Sequence, residues 1–200
     1  MSPFIRSTVL VAGAILVSLL GAVLTVIWAS TREQPTPLSP MNTTGPAGRA
    51  LVVYHPGLSD FPDRITAAFA RGLIGAGWRV DRTTASEEAL ADLADYDLLV
   101  LGSPVYANAP AMPLVHYLER LGDLGGKPVA LVFTAAGDAG PALATSAEEI
   151  ARRHGRVVGR FGYITQKPNA PTPGDFGGSN TAQAVAMAHQ AGEALRVADP

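Results

Sequence analysis

The chain has 200 residues, enough for one domain with additional segments. Its 15 Lys and Arg against 17 Asp and Glu give a formal net charge of -2, which removes the basic excess expected of a nucleic-acid binder. It contains no cysteine, which excludes disulfides, thiolate catalysis, cysteine-held clusters and a lipidated-cysteine anchor. The four histidines, His55, His116, His154 and His189, are scattered without metal-ligand spacing.

Ser7 to Thr31 carries no charge and is apolar on every face, from Val9 and Leu10 to Val26 and Ile27. A membrane span needs about 20 such residues. Trp28 stands where an interfacial aromatic belongs, with Arg32 just beyond. A cleaved signal peptide has a shorter apolar core of about 7–15 residues and a small-x-small cleavage site. Ala29 follows Ile27 by two places and Ser30 follows Trp28, so neither fits. The expectation is an uncleaved anchor over residues 1–32, with a slight lean to the amino terminus inside and the domain outside. Residues 33–48 read as a tether, because Pro35, Pro37, Pro40 and Pro46 forbid helix. Asn42-Thr43-Thr44 within it matches a short glycosylation triplet.

From Arg49 the pattern alternates between strand and helix. Ala50–Tyr54 is a continuous apolar run, as in a buried parallel strand. Ile65, Ala68, Phe69 and Leu73 follow at helical spacing. Trp78–Arg82 predicts a second strand. Thr84-x-x-Glu87 predicts a capped short helix with Leu90 and Leu93 inward. Asp97–Leu101 predicts the third strand, Leu114–Leu121 a helix, Val129–Phe133 the fourth strand, Ala147–Arg153 a helix and Val157–Ile164 the fifth strand. A Gly-, Pro- and Asn-rich loop over 168–180 precedes a last helix, Thr181–Val197. This alternation specifies a three-layer α/β domain over 49–200 with a five-stranded parallel sheet. Ligands in such sheets sit beyond the carboxyl ends of the strands. The loops at 55–63, 102–110 and 134–139 are therefore the candidate site.

The block Gly102-Ser103-Pro104-Val105-Tyr106-Ala107, with Pro110 and Pro113 after it, resembles the second flavin loop of the flavodoxin family. The apolar run is expected to end at Gly102, leaving Tyr106 in a loop. The resemblance covers roughly Arg49 to Val197. It implies the flavodoxin-like strand order 2-1-3-4-5, a bound flavin mononucleotide (FMN), and Tyr106 stacked on the flavin. Backbone groups near Ser103, Val105 and Asn108 would meet the ring's polar edge, and Pro104 and Ala107 would complete the cofactor-binding loop. The first loop, His55-Pro56-Gly57-Leu58-Ser59, would hold the phosphate through backbone N–H groups and the following helix terminus. It departs from the family pattern, since Tyr54 and Pro56 stand where hydroxyls are common and Pro56 has no N–H to donate. Asp60 and Asp63 would cap that helix or repel a phosphate. The third loop, Thr134-Ala135-Ala136-Gly137-Asp138, would pass close to the ring, with Asp138 either on a flavin edge or capping the next helix.

The resemblance implies an electron carrier, the anchor holding it near a redox partner protein or a quinone at the membrane. Two alternatives stand beside it. One is a flavin-dependent, quinone-linked oxidoreductase of the protoporphyrinogen oxidase type, for which the 168–180 loop is the candidate substrate insertion. The other is an anchored binding module that has lost flavin. The cluster Arg152, Arg153, His154, Arg156 and Arg160 reads as a solvated helix end and an amphipathic strand.

Overall fold

The computed structural model describes residues 3–166, 168–169 and 178–197, with side chains from Leu10 onward. Helix α1 spans Pro3–Thr31, followed by the short strand β1 (Ser39–Pro40) and by β2 (Arg49–Tyr54). Then come α2 (Phe61–Gly75), β3 (Arg79–Thr84), β4 (Leu98–Tyr106) and β5 (Ala109–Pro110). The chain continues through α3 (Met112–Leu121), β6 (Pro128–Ala135), α4 (Gly140–Arg152), β7 (Arg156–Ile164) and α5 (Asn180–Ala194).

The five long strands pair in parallel in the order β3-β2-β4-β6-β7. Numbered among themselves they run 2-1-3-4-5, as expected. Two strands were not anticipated: β1 adds antiparallel to β3, and β5 folds back on the end of β4. Alternate side chains of each run face opposite helical layers. Leu51, Val53, Leu99, Leu101, Leu131 and Phe133 pack with α3 and α4. Ala50, Val52, Val100, Ala130 and Val132 pack with α2 and α5. This two-sided burial is why the strands read as unbroken apolar runs.

Helices α2 and α5 touch backbone to backbone. A Cβ at Gly72 would lie 2.0 Å from the His189 carbonyl oxygen, and one at Gly192 would lie 2.1 Å from that of Phe69. Backbone cannot yield as a side-chain tip can. Gly72→Ala or Gly192→Ala is therefore expected to destabilise the domain by about 1–3 kcal/mol, read from the shift in urea midpoint.

No helix forms between β3 and β4. Thr84 is buried as the last residue of β3, in extended backbone paired with β2, and its hydroxyl turns to the Gln34 carbonyl rather than to a helix N–H. Side chains bind the carbonyls of residues 85–97 instead. Arg120 donates to Ser86, Glu87 and Ala89, Tyr117 to Leu90, and Lys127 to Leu93 and Tyr96. Leu93 is buried as expected, whereas Leu90 is exposed.

The Pro-rich segment is extended, as its prolines require, but it is docked rather than free. Thr36 accepts from the Thr84 N–H, and its carbonyl accepts from the Thr83 hydroxyl. The Asn42 amide clamps β3, accepting from Val80 N–H and donating to the Trp78 carbonyl. Those bonds engage the only nitrogen that the glycosylation triplet would offer. Beneath the strap, the Asp81 carboxylate accepts from Arg49 Nε at 2.9 Å and from the Tyr96 hydroxyl at 2.9 Å.

Leu10–Thr31 of α1 has a mean hydropathy of 2.7 and is long and apolar enough to cross a membrane, as a signal sequence also can be. Its described side chains project away from the domain until Ala29, which is buried, and its end touches α3.

Candidate functional site

The carboxyl ends of β2, β4 and β6 converge where the strand order reverses, between β2 and β4. Strand β4 does not stop at Gly102. It continues through Tyr106 and turns back as a hairpin, with Val105 opposite Pro110 and Tyr106 opposite Ala109. The physical reason lies in the pairing. Strand β2 ends at Tyr54 opposite Gly102, so beyond that point β4 has a free edge on which Pro104, lacking an N–H, is tolerated. On its other side β4 still pairs with β6, Pro104 opposite Thr134.

Ala107 and Asn108 form the hairpin tip with φ of 48° and 64°. Two successive left-handed residues suit the twist of a tight hairpin, but alanine carries a Cβ penalty there. Ala107→Gly is expected to raise stability by about 0.5–1 kcal/mol in chemical denaturation. Ser103 is buried and faces inward. Its hydroxyl donates to the Pro104 carbonyl and accepts the Ala111 N–H, fastening the hairpin to the start of α3.

Tyr106 is half-buried and leans across the first loop. A Cβ on Gly57, whose φ is +75°, would lie 3.3 Å from the Tyr106 Oη and 3.1 Å from Pro104 Cγ. A side chain at Gly57 would displace these neighbours by a few tenths of an ångström and strain a left-handed backbone. Burial raises the Tyr106 hydroxyl pKa, and a backbone hydrogen bond with Leu58 opposes that rise.

His55 is fully buried at the end of β2. Its Nδ1 accepts the Gly57 N–H at 3.1 Å, and its Nε2 lies 3.1 Å from the Arg32 carbonyl. One nitrogen must accept and the other donate, which defines a neutral ring protonated on Nε2. Burial lowers its pKa from 6.5, with the Arg32 carbonyl pulling the other way. The unfolded chain therefore binds a proton that the folded chain resists. Stability is full above about pH 6.5 and falls as pH drops below it, with a slope of up to about 1.4 kcal/mol per pH unit. Denaturation midpoints across this range, with His55→Gln as reference, measure the effect.

The acids of the first loop are turned aside. Asp63 accepts the Tyr54 hydroxyl at 2.7 Å and pairs with Arg82 at 2.9 Å. Burial opposes its ionisation, but these two partners hold its carboxyl below the usual range. Burial pushes Tyr54 up to about 12, against the Arg82 guanidinium stacked 3.7 Å from its ring centre. Asp60 pairs with Arg64. Neither acid caps α2 with its side chain; Ser59 Oγ instead lies 3.4 Å from the Phe61 N–H. In the third loop, Thr134 and Ala135 are buried, while Ala136, Gly137 and Asp138 are exposed. Asp138 accepts the Gly140 N–H at 2.8 Å in a local turn just before α4, whose N-cap residue is Ala139 and which no side chain caps.

A cavity of about 230 Å³ lies among these loops. Its walls are Leu58, Ser59, Phe61 and Pro62 from the first, Pro104, Val105 and Tyr106 from the second, and Thr134, Ala135, Ala136 and Thr165. Its described lining is uncharged, largely apolar and aromatic on one side, which suits a flat ring. It is smaller than the ~300–1,000 Å³ of whole small-molecule sites. A phosphate fits less well. Pro56 has no N–H, the Gly57 N–H is held by His55, and the Leu58 backbone is engaged with Tyr106. The residues present thus suit the ring of a flavin better than its phosphate.

Three members of the basic cluster have acidic partners. Arg152 and Arg153 meet Glu149, and His154 meets Asp123 at 3.0 Å. Residues 170–177, most of the candidate insertion, lie outside the described residues.

Comparison with solved structures fits this geometry. A flavodoxin from the domain Archaea superposes with a TM-score of 0.54 at 17% identity, covering 72% of this chain and 96% of its own. The chain has the flavodoxin-like fold. Two-electron reduced flavodoxin of Megasphaera elsdenii gives 0.54 at 18% identity, with 70% and 98% covered. An azoreductase of Bacillus anthracis gives 0.54 at 14%, with 73% and 99% covered. No protein-family model and no curated protein sequence matches the chain. The flavodoxin-like domain therefore takes its functional reading from its own residues.

Proposed function

We propose that this is a membrane-held flavin-binding redox domain that carries electrons to or from a quinone or another membrane-associated partner. The observation that carries the reading is Tyr106, presented by a strained hairpin over an uncharged cavity at the topological switch point of a flavodoxin-like sheet. FMN is the flavin such domains are expected to take. When bound, a flavin supplies one- and two-electron transfer. The chain's own part is to stack Tyr106 on the ring, exclude water with Pro104, Val105 and Leu58, and offer backbone groups to the ring edge. Among the described residues no carboxylate, amine or imidazole lines the cavity. The anchor raises the effective concentration of a membrane partner.

The test is anaerobic. Full-length protein, flavin-loaded and photoreduced in phosphatidylcholine vesicles, should be reoxidised much faster when the vesicles contain a quinone. Equal rates with and without quinone would count against that partner. A second reading, an anchored binding module without flavin, is favoured by the engaged Gly57 N–H and the small cavity. Absence of any bound flavin would establish it.

A further inference from the structure

We infer that the domain does not swing on a flexible tether. It is held with the carboxyl end of its sheet against the bilayer, so that the Tyr106 site opens at the lipid surface. The inference rests on the reading of α1 as a retained anchor and adds an orientation to it.

Three observations converge. The first is the strap. Arg32 accepts from His55, Glu33 Oε2 accepts the Glu87 N–H at 3.0 Å, and Gln34 accepts from the Thr84 hydroxyl. Thr36, β1 and Asn42 then continue along β3. No run of free residues separates α1 from the fold, and Ala29 is already buried at 2%.

The second is the interface marker. Trp28 is 51% exposed, and the Arg32 guanidinium lies 4.7 Å from its ring centre. A tryptophan and an arginine at the end of an apolar span sit at the headgroup level. Arg32 is the same residue whose carbonyl meets His55, one residue beyond β2. The headgroup plane and the carboxyl end of the sheet therefore coincide.

The third is apolar exposure. Leu58, in the first loop, is 52% exposed, and Met112, at the start of α3, is 40% exposed. Both lie at this same end, flanking the hairpin of Tyr106. Water is a poor environment for such a pair, and the lipid interface next to α1 is the apolar phase within reach.

The absence of cysteine makes single-site labelling direct. Leu58→Cys, Met112→Cys and, at the opposite end of the sheet before β4, the exposed Ala94→Cys would each carry an environment-sensitive fluorophore. Full-length protein would be placed in phosphatidylcholine vesicles bearing a nitroxide on the acyl chain, and flotation recorded. The expected result is flotation of all three, with quenching several-fold stronger at 58 and 112 than at 94. Adding His55→Ala and Thr36→Ala should loosen the strap and weaken that contrast while flotation persists. Flotation with equal quenching at all three sites would overturn the orientation alone. Protein that fails to float would overturn the anchor reading and this inference with it. Shielding that follows protein concentration rather than lipid would assign the patch to a second copy and also overturn it.

Discussion

Tyr106→Ala is expected to lower flavin affinity by about 1–3 kcal/mol, roughly five- to 150-fold, through loss of aromatic stacking. Tyr106→Phe keeps the stacking face and loses only the hydrogen bond with the Leu58 backbone, so its loss should be smaller, near the ~1 kcal/mol of a neutral hydrogen bond. Quenching of flavin fluorescence, titrated with each variant, separates the two. Equal affinity in wild type and Tyr106→Ala would remove the ring site from Tyr106. Unchanged denaturation midpoints guard against reading a folding defect as a binding defect, since Tyr106 is a half-buried hairpin residue and not a core one.

The largest expected effect on stability lies at Arg49. Its guanidinium pairs with Asp81 at 2.7 Å and stacks 4.4 Å from the Tyr96 ring centre. The Asp81 side chain is only 3% exposed, whereas that of Arg49 is 26% exposed. Arg49→Ala therefore strands a buried carboxylate, at a cost of about 3–5 kcal/mol. Asp81→Asn leaves the more exposed guanidinium to water and should cost less. The double variant Arg49→Ala, Asp81→Asn should be more stable than Arg49→Ala alone, because no charge remains buried. Urea denaturation of the four proteins forms a cycle that measures the coupling. A single-variant loss within experimental error at Arg49 would show that water reaches Asp81.

Which parts of this architecture were legible depends on where the information sits. The parallel strands announce themselves because both of their faces are buried: Leu51 and Val53 serve one layer, Val52 the other. Helices α2 and α3 are legible from their apolar spacing. The misreadings arise where long-range contacts decide. Gly102-Ser103-Pro104 looks like a stop, and becomes strand only because β2 has already ended beside it. Thr84-x-x-Glu87 looks like a capping box, and fails because Thr84 faces a strap fifty residues upstream in sequence. That strap has no apolar periodicity; it docks by hydrogen bonds from Thr36 and Asn42, which carry no pattern.

The candidate site divides in the same way. Tyr106 was visible as an aromatic at a strand end, and the structure places it over the cavity. Asp138, for which the sequence allows a flavin edge or a helix cap, instead closes a local turn on the Gly140 N–H ahead of the uncapped α4. The role of His55 was hidden, because a phosphate-loop residue and a buried link to Arg32 look alike in sequence. Its two ring nitrogens bind Gly57 on one side and the end of α1 on the other. This single residue joins the anchor to the first loop and takes the N–H that a phosphate would need.

The most direct test of the central claim is a paired titration of the full-length protein with FMN and with riboflavin, followed by absorbance and fluorescence. The account predicts saturable binding of both, with the phosphate adding no more than about tenfold, because the Gly57 and Leu58 backbone groups are already engaged and a single charge-assisted bond from what remains supplies about 1.5 kcal/mol. Failure of either flavin to bind at saturating concentration would contradict it and leave an anchored binding module.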